Sequence, residues 1–124
     1  MDTFTGPPDP GGDPLYAQWL RRKAEWWRWH QENPEVWEYF VIFAFEAINA
    51  DKKKISHWLI LNRVRWEVFI KTTRVVAGDG DFKISNMHFA FYARYWKHKY
   101  PMHSGLFNTK RMVGEPDSPL IGST

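Results

Sequence analysis

The chain has 124 residues, of which 44% are hydrophobic and 18% are Phe, Trp or Tyr, and its formal net charge is +3. That length suits a single domain, and so aromatic a composition is the opposite of a disordered chain's, because each ring brings a large area to bury. With no cysteine, a disulfide framework and a thiolate metal site are both excluded, which suits a reducing compartment.

From the N-terminus, MDTFTGPPDPGG has neither a basic region nor an apolar run, so no signal peptide is expected. Residues 1–13 and 114–124 are rich in Pro, Gly, Asp and Ser with little to bury, and read as disordered tails around one globular domain, 14–113. Asp13-Pro14 pairs an N-cap with proline at the first helical position and predicts a helix over 14–31, which contains the aromatic and basic run RRKAEWWRWH. Asn33-Pro34-Glu35 repeats the signal and predicts a second helix over 34–50. Val36, Phe40, Phe43, Ala47 and Ala50 form one stripe there, with Trp37, Val41, Ala44 and Ile48 widening it, so this helix belongs in the middle of the domain. Its apolar stretch falls short of the ~20 residues of a membrane span and carries Glu38 and Glu46.

Asp51 to Ile55 reads as a turn, and Ser56 as the cap of a third helix over 56–71. Ile55, Leu59, Trp66 and Ile70 share one face of it, with Asn62 at the centre, and Trp66 is expected in the core. Leu61, Val64 and Val68 make a second apolar side. Then TTRVV, a Gly-Asp-Gly-Asp stretch and FKI suggest a short hairpin, and GLFNTKRMV after Pro101 a further strand. Between them lies SNMHFAFYARYWKHKYP, residues 85–101, with six aromatic residues, three Lys or Arg, two His and no acid. Stepping 100° per residue puts Phe89, Tyr92, Ala93, Trp96 and Tyr100 on one core-facing side. The opposite side carries Asn86, Met87, Ala90, Arg94, Lys97 and His98, and the start is capped by Ser85 or Asn86. The predicted fold is therefore a mostly helical α+β domain, about four helices around an aromatic core with a small two- or three-stranded antiparallel sheet.

Charge is unevenly spread. Residues 14–51 hold four bases and six acids, whereas 52–111 hold 13 bases and three acids (Glu67, Asp79, Asp81); the tails hold five acids and no base. Such asymmetry points to an anionic partner. Small, amide and basic side chains on one helix face suit a nucleic-acid backbone or groove. The candidate nucleic-acid-binding residues are Lys52, Lys53, Lys54, Lys83, Asn86, Arg94, Lys97, Lys110 and Arg111, DNA ranking ahead of RNA. Arg94→Ala and Lys97→Ala are expected to leave the fold intact.

Catalytic and metal signatures are missing. The five histidines show neither H-x-x-x-H nor H-E-x-x-H spacing, and Asp79 and Asp81 lack the remaining ligands of a calcium loop. Neither a P-loop nor a nucleophile elbow occurs. No cofactor, no metal and no enzymatic activity is expected.

The runs NPEVWEYFVIFAFEAI, SHWLILNRVRWE, GDFKISN and FYARYWKHKYP, spread over Asn33 to Arg111, resemble a family of small hypothetical proteins of tailed phages and prophages. The resemblance implies a phage-related role in a bacterial host cytoplasm and transfers no functional residue. The function expected is a small non-catalytic nucleic-acid-binding protein, with a regulator as one form of it. The alternative is a protein-interaction module that inhibits or redirects a host protein through an acidic surface of that protein.

Overall fold

The computed structural model describes residues 12–71 and 84–116. Four α-helices are found among them: α1 (Pro14–Glu32), α2 (Pro34–Asn49), α3 (His57–Lys71) and α4 (Asn86–Lys99). A 3-10 turn, Pro101–His103, follows, and the chain then runs without regular structure to residue 116. Helices α2 and α4 each pack against both α1 and α3.

Local chemistry sets the helix ends. The Asp13 carboxylate accepts from the Leu15 and Tyr16 N–H groups at 3.0 and 3.4 Å, satisfying two of the unpaired donors of the first turn of α1. Asn33 separates α1 from α2, but its side chain faces backwards: Nδ2 donates to the Trp29 carbonyl at 2.9 Å, and the residue is buried. Pro34 then starts α2. At the end of α2, Asp51 takes a left-handed backbone (φ 68°), and the Lys52 N–H closes on the Ala47 carbonyl at 3.0 Å. Ser85 caps α4: its hydroxyl accepts from the His88 N–H, while His88 Nδ1 accepts from the Ser85 N–H, both at 3.2 Å. This is a capping box with histidine in place of the usual Glu or Gln.

His88 can accept at Nδ1 only when neutral. Its ring is stacked on Trp29 at 4.3 Å, and burial pushes its pKa from 6.5 down to about 4. A histidine whose folded pKa is depressed opposes protonation in the native state. Stability is therefore full above pH 6.5 and is lost as pH falls towards about 4. A glutamine side chain at this position would keep the cap without titrating. The melting temperature of His88→Gln should fall less than that of the wild type between pH 7 and about 4. Parallel curves would show that His88 does not titrate as described.

The core is built of rings. Trp26 and Trp96 are both fully buried. Trp26 lies 5.2–5.6 Å from Phe91, Tyr92 and Tyr95 of α4, and Trp37 of α2 stacks on Tyr92 at 5.7 Å. The Tyr92 hydroxyl shares a 2.9 Å hydrogen bond with His30 Nδ1. Burial first, then the charge of Glu35, raises the Tyr92 pKa far above its usual value, so it stays a phenol. Phe40 contacts Phe89, Trp96 and Phe107, joining α2 to α4 and to the segment beyond it.

Two expectations are corrected. The α+β fold with an antiparallel sheet is replaced by an all-helical one: no strand occurs among the described residues. In the segment GLFNTKRMV, Leu106 and Phe107 are both buried. They lie in irregular chain, with no strand partner beside them among the described residues. Only Ile84 of the expected hairpin is described, as a buried residue ahead of α4; residues 72–83 lie outside the described residues.

The second correction concerns α3. Ile60, Leu61, Val64 and Val68 face the core, whereas Leu59, Trp66 and Ile70 are exposed, Trp66 at 58%. The helix is apolar on two sides, and the side chosen is the one with the smaller aliphatic groups. Aromatic rings of α1, α2 and α4 already fill the interior, and close packing against them favours modest volumes.

Candidate anion-binding surface

On the side of α4 that the helical wheel leaves to solvent, Arg94 is covered by the protein's own C-terminal segment. The chain turns back after His103, whose carbonyl accepts from Trp96 Nε1 at 2.9 Å. Leu106 and Phe107 then enter the core. The Ile55 N–H donates to the Leu106 carbonyl at 2.9 Å, which brings the 51–56 turn alongside this segment. Lys54 consequently reaches the Gly105 carbonyl at 3.2 Å and Asn108 Oδ1 at 3.5 Å.

Arg94 is the centre of this arrangement. Nε donates to Glu115 Oε2 at 2.6 Å and Nη2 to Glu115 Oε1 at 2.9 Å, a two-pronged ion pair. Nη1 donates to the Ala90 carbonyl at 2.7 Å, and Nη2 also to the Lys110 carbonyl. The side chains of Arg94 and Glu115 are only 11% and 19% exposed. Glu115 Oε1 further accepts from the Met112 N–H at 2.8 Å. Burial pushes the Glu115 carboxyl up, but the Arg94 and Met112 hydrogen bonds and the charges of Arg94 and Arg111 outweigh it and hold it below the usual range.

Two more cationic groups share this neighbourhood. Burial, then Arg94, then Lys54 push the Lys97 ammonium below its usual pKa, with only Glu115 opposing them. The His57 imidazole, in the first turn of α3, is likewise lowered by burial and by Arg94. Lys97 of α4 thus feels Arg94, Glu115 and Lys54 of the 51–56 turn, and His57 of α3 feels Arg94. Such a site can neutralise an anion. Among the described residues no three His, Asp or Glu side chains form a group able to hold a metal ion. Nor is any helix of the described residues long and apolar enough to cross a membrane.

The structure separates the other sequence candidates. Asn86 is exposed as the first residue of α4, and Ser85 holds the cap. Lys52 and Lys53 are exposed on the turn, Lys53 lying 3.7 Å from an equally exposed Asp51. Lys110 is exposed beside Arg94, and Arg111 Nε donates to the Glu115 carbonyl. Lys83 lies outside the described residues. Arg63 and Arg65, two further bases of the 52–111 stretch, are used internally: Arg63 lies over the Phe43 ring and pairs with Glu46 at 3.2 Å, and Arg65 donates to the Ile84 carbonyl.

No family model, curated protein or solved structure matches this chain. The site therefore stands on its own chemistry. Two of its members are absent from the sequence candidates: His57 carries no local signature, and Glu115 falls in a predicted tail. A signal for Glu115 does exist, since it is the first acid after Asp81, across an interval holding six Lys or Arg.

Proposed function

We propose that this protein binds a polyanion, nucleic acid being the partner whose chemistry fits best, through a non-catalytic surface of Lys54, His57, Lys97 and Lys110. The observation that carries this reading is that Lys97 feels both Arg94 and Lys54, and His57 feels Arg94, while Glu115 is bonded to Arg94. Like charges held together raise the free energy of the unliganded protein, and a phosphate backbone relieves that repulsion. The exposed cationic side chains of Lys52, Lys53 and Arg111 extend the field around it. A phage or prophage setting in a bacterial host cytoplasm is part of the same proposal, resting on the family resemblance.

The test is a gel-shift titration with duplex DNA, single-stranded DNA and RNA of one length, repeated across a salt series. Wild-type affinity for duplex DNA should fall linearly on a log–log plot. Lys54→Ala with Lys97→Ala should flatten that slope by about 0.9 for each phosphate no longer neutralised. The double variant should melt at or above the wild-type temperature, because removing Lys97 relieves repulsion from Arg94 and Lys54. Absence of wild-type binding at low salt to all three probes would sink this reading. A protein partner would then be favoured by the exposed apolar residues Leu59 and Ile70 on α3.

A further inference from the structure

We propose that the Glu115 carboxylate occupies a phosphate subsite, and that Arg94 receives a backbone phosphate in its place when segment 110–116 lifts from α4. The inference rests on the polyanion reading and specifies its central contact.

The geometry of the occupant carries it. Glu115 meets the Nε/Nη2 edge of Arg94 with both oxygens, at 2.6 and 2.9 Å, and that edge is the fork by which guanidinium also takes phosphate. Exchange of carboxylate for phosphate keeps Arg94 paired with an anion, so no bare charge is left in a half-buried place. The Nη1 bond to the Ala90 carbonyl comes from the same helix and holds the guanidinium in position after Glu115 leaves. Lys97, which feels the charge of Glu115, lies near the vacated position, and Lys54 bears on Lys97 in turn.

The segment's polar hold on α4 is concentrated at the same guanidinium. Glu115 accepts from Arg94 twice and the Lys110 carbonyl accepts from it once, while the Met112 N–H to Glu115 bond lies within the segment. Besides these bonds, Met112 packs against the core and Gly114, at φ +83°, lies so close to the Leu15 carbonyl that a Cβ would meet it. Val113 between them is 62% exposed. A stronger anion that takes Arg94 therefore removes the segment's main polar anchor. The protein's own carboxylate then works as a competitor, setting a threshold that isolated phosphates meet poorly and a polyanion, engaging Lys54 and Lys97 together, meets well.

Two readouts test this with the full chain. In Glu115→Gln, which keeps an acceptor for the Met112 N–H, binding of duplex DNA should tighten while the log affinity–log salt slope stays that of the wild type, because Arg94 meets a phosphate in both and only the competing carboxylate is gone. In the wild type, addition of the same duplex should speed hydrogen exchange at the Met112 amide, because its acceptor leaves; this measurement decides the matter if Glu115→Gln does not fold. Wild-type affinity in Glu115→Gln together with unchanged Met112 exchange overturns the subsite and leaves the polyanion reading standing. Binding by neither protein overturns both. Binding by Glu115→Gln alone overturns the polyanion reading of the wild type and the proposal with it.

Discussion

Trp96→Ala is expected to destabilise the protein by about 3–5 kcal/mol, a large part of the stability of a small domain. Trp96 is fully buried where three parts of the chain meet. Its ring lies 5.9 Å from Phe107 in an edge contact, 4.5 Å from Tyr100 and 5.3 Å from Phe45. Its Nε1 also holds the His103 carbonyl at 2.9 Å. Alanine leaves a cavity between α2, α4 and the C-terminal segment, and it removes that carbonyl's partner. Trp96→Phe restores most of the volume but not the donor, so it should fall between alanine and wild type. Trp66→Ala is the control. The sequence pattern places Trp66 in the core, but at 58% exposure its truncation should cost about 1 kcal/mol or less. Denaturant unfolding of the three variants checks the ordering, and equal losses from Trp96→Ala and Trp66→Ala would contradict the orientation given to α3.

Arg94→Ala should cost about 3 kcal/mol, although the helical wheel puts Arg94 on a wet face where alanine would be harmless. The substitution strips a mostly buried carboxylate of its charged partner and releases the Ala90 and Lys110 carbonyls. With the ion pair broken, segment 110–116 loses its attachment to α4. A double-mutant cycle with Glu115→Ala should show strong coupling, the double variant losing less than the sum of the single ones. The acid side gives a second check. Glu115 is held below its usual pKa, so its contribution is present above about pH 4.5 and is lost as pH falls through the depressed folded value. Arg94→Ala should abolish that part of the acid sensitivity. The same pair revises what truncation does: deleting residues 115–124, harmless if they form only a tail, removes Glu115 and should lower the melting temperature. A truncated chain that melts with the wild type would show that the Arg94–Glu115 contact contributes nothing to stability.

Where the helices begin is legible in the sequence alone, because caps act over a few residues. Asp13-Pro14, Pro34 and Ser85 each begin a helix where their local chemistry says one begins. The buried stripes of α2 and α4 are equally legible, in Val36, Phe40 and Phe43 and in Phe89, Tyr92 and Trp96, although Phe91 and Tyr95 of α4 are buried as well. Lys54 and Lys97 stand out as candidates through charge alone. Other features depend on how the helices pack. Periodicity defines a face relative to its own helix axis and does not say which way that axis is turned, so the two apolar sides of α3 are distinguishable only by what they pack against. The short apolar run 105–113 fits strand and irregular chain equally until Leu106 and Phe107 are seen to enter one core. The meeting of Arg94 with Glu115, and of Lys54 with Lys97, depends on the path of the chain across α4. Coulomb forces act between neighbours in space, and residues that lie 21 or more positions apart become neighbours only when the core has folded that path into place.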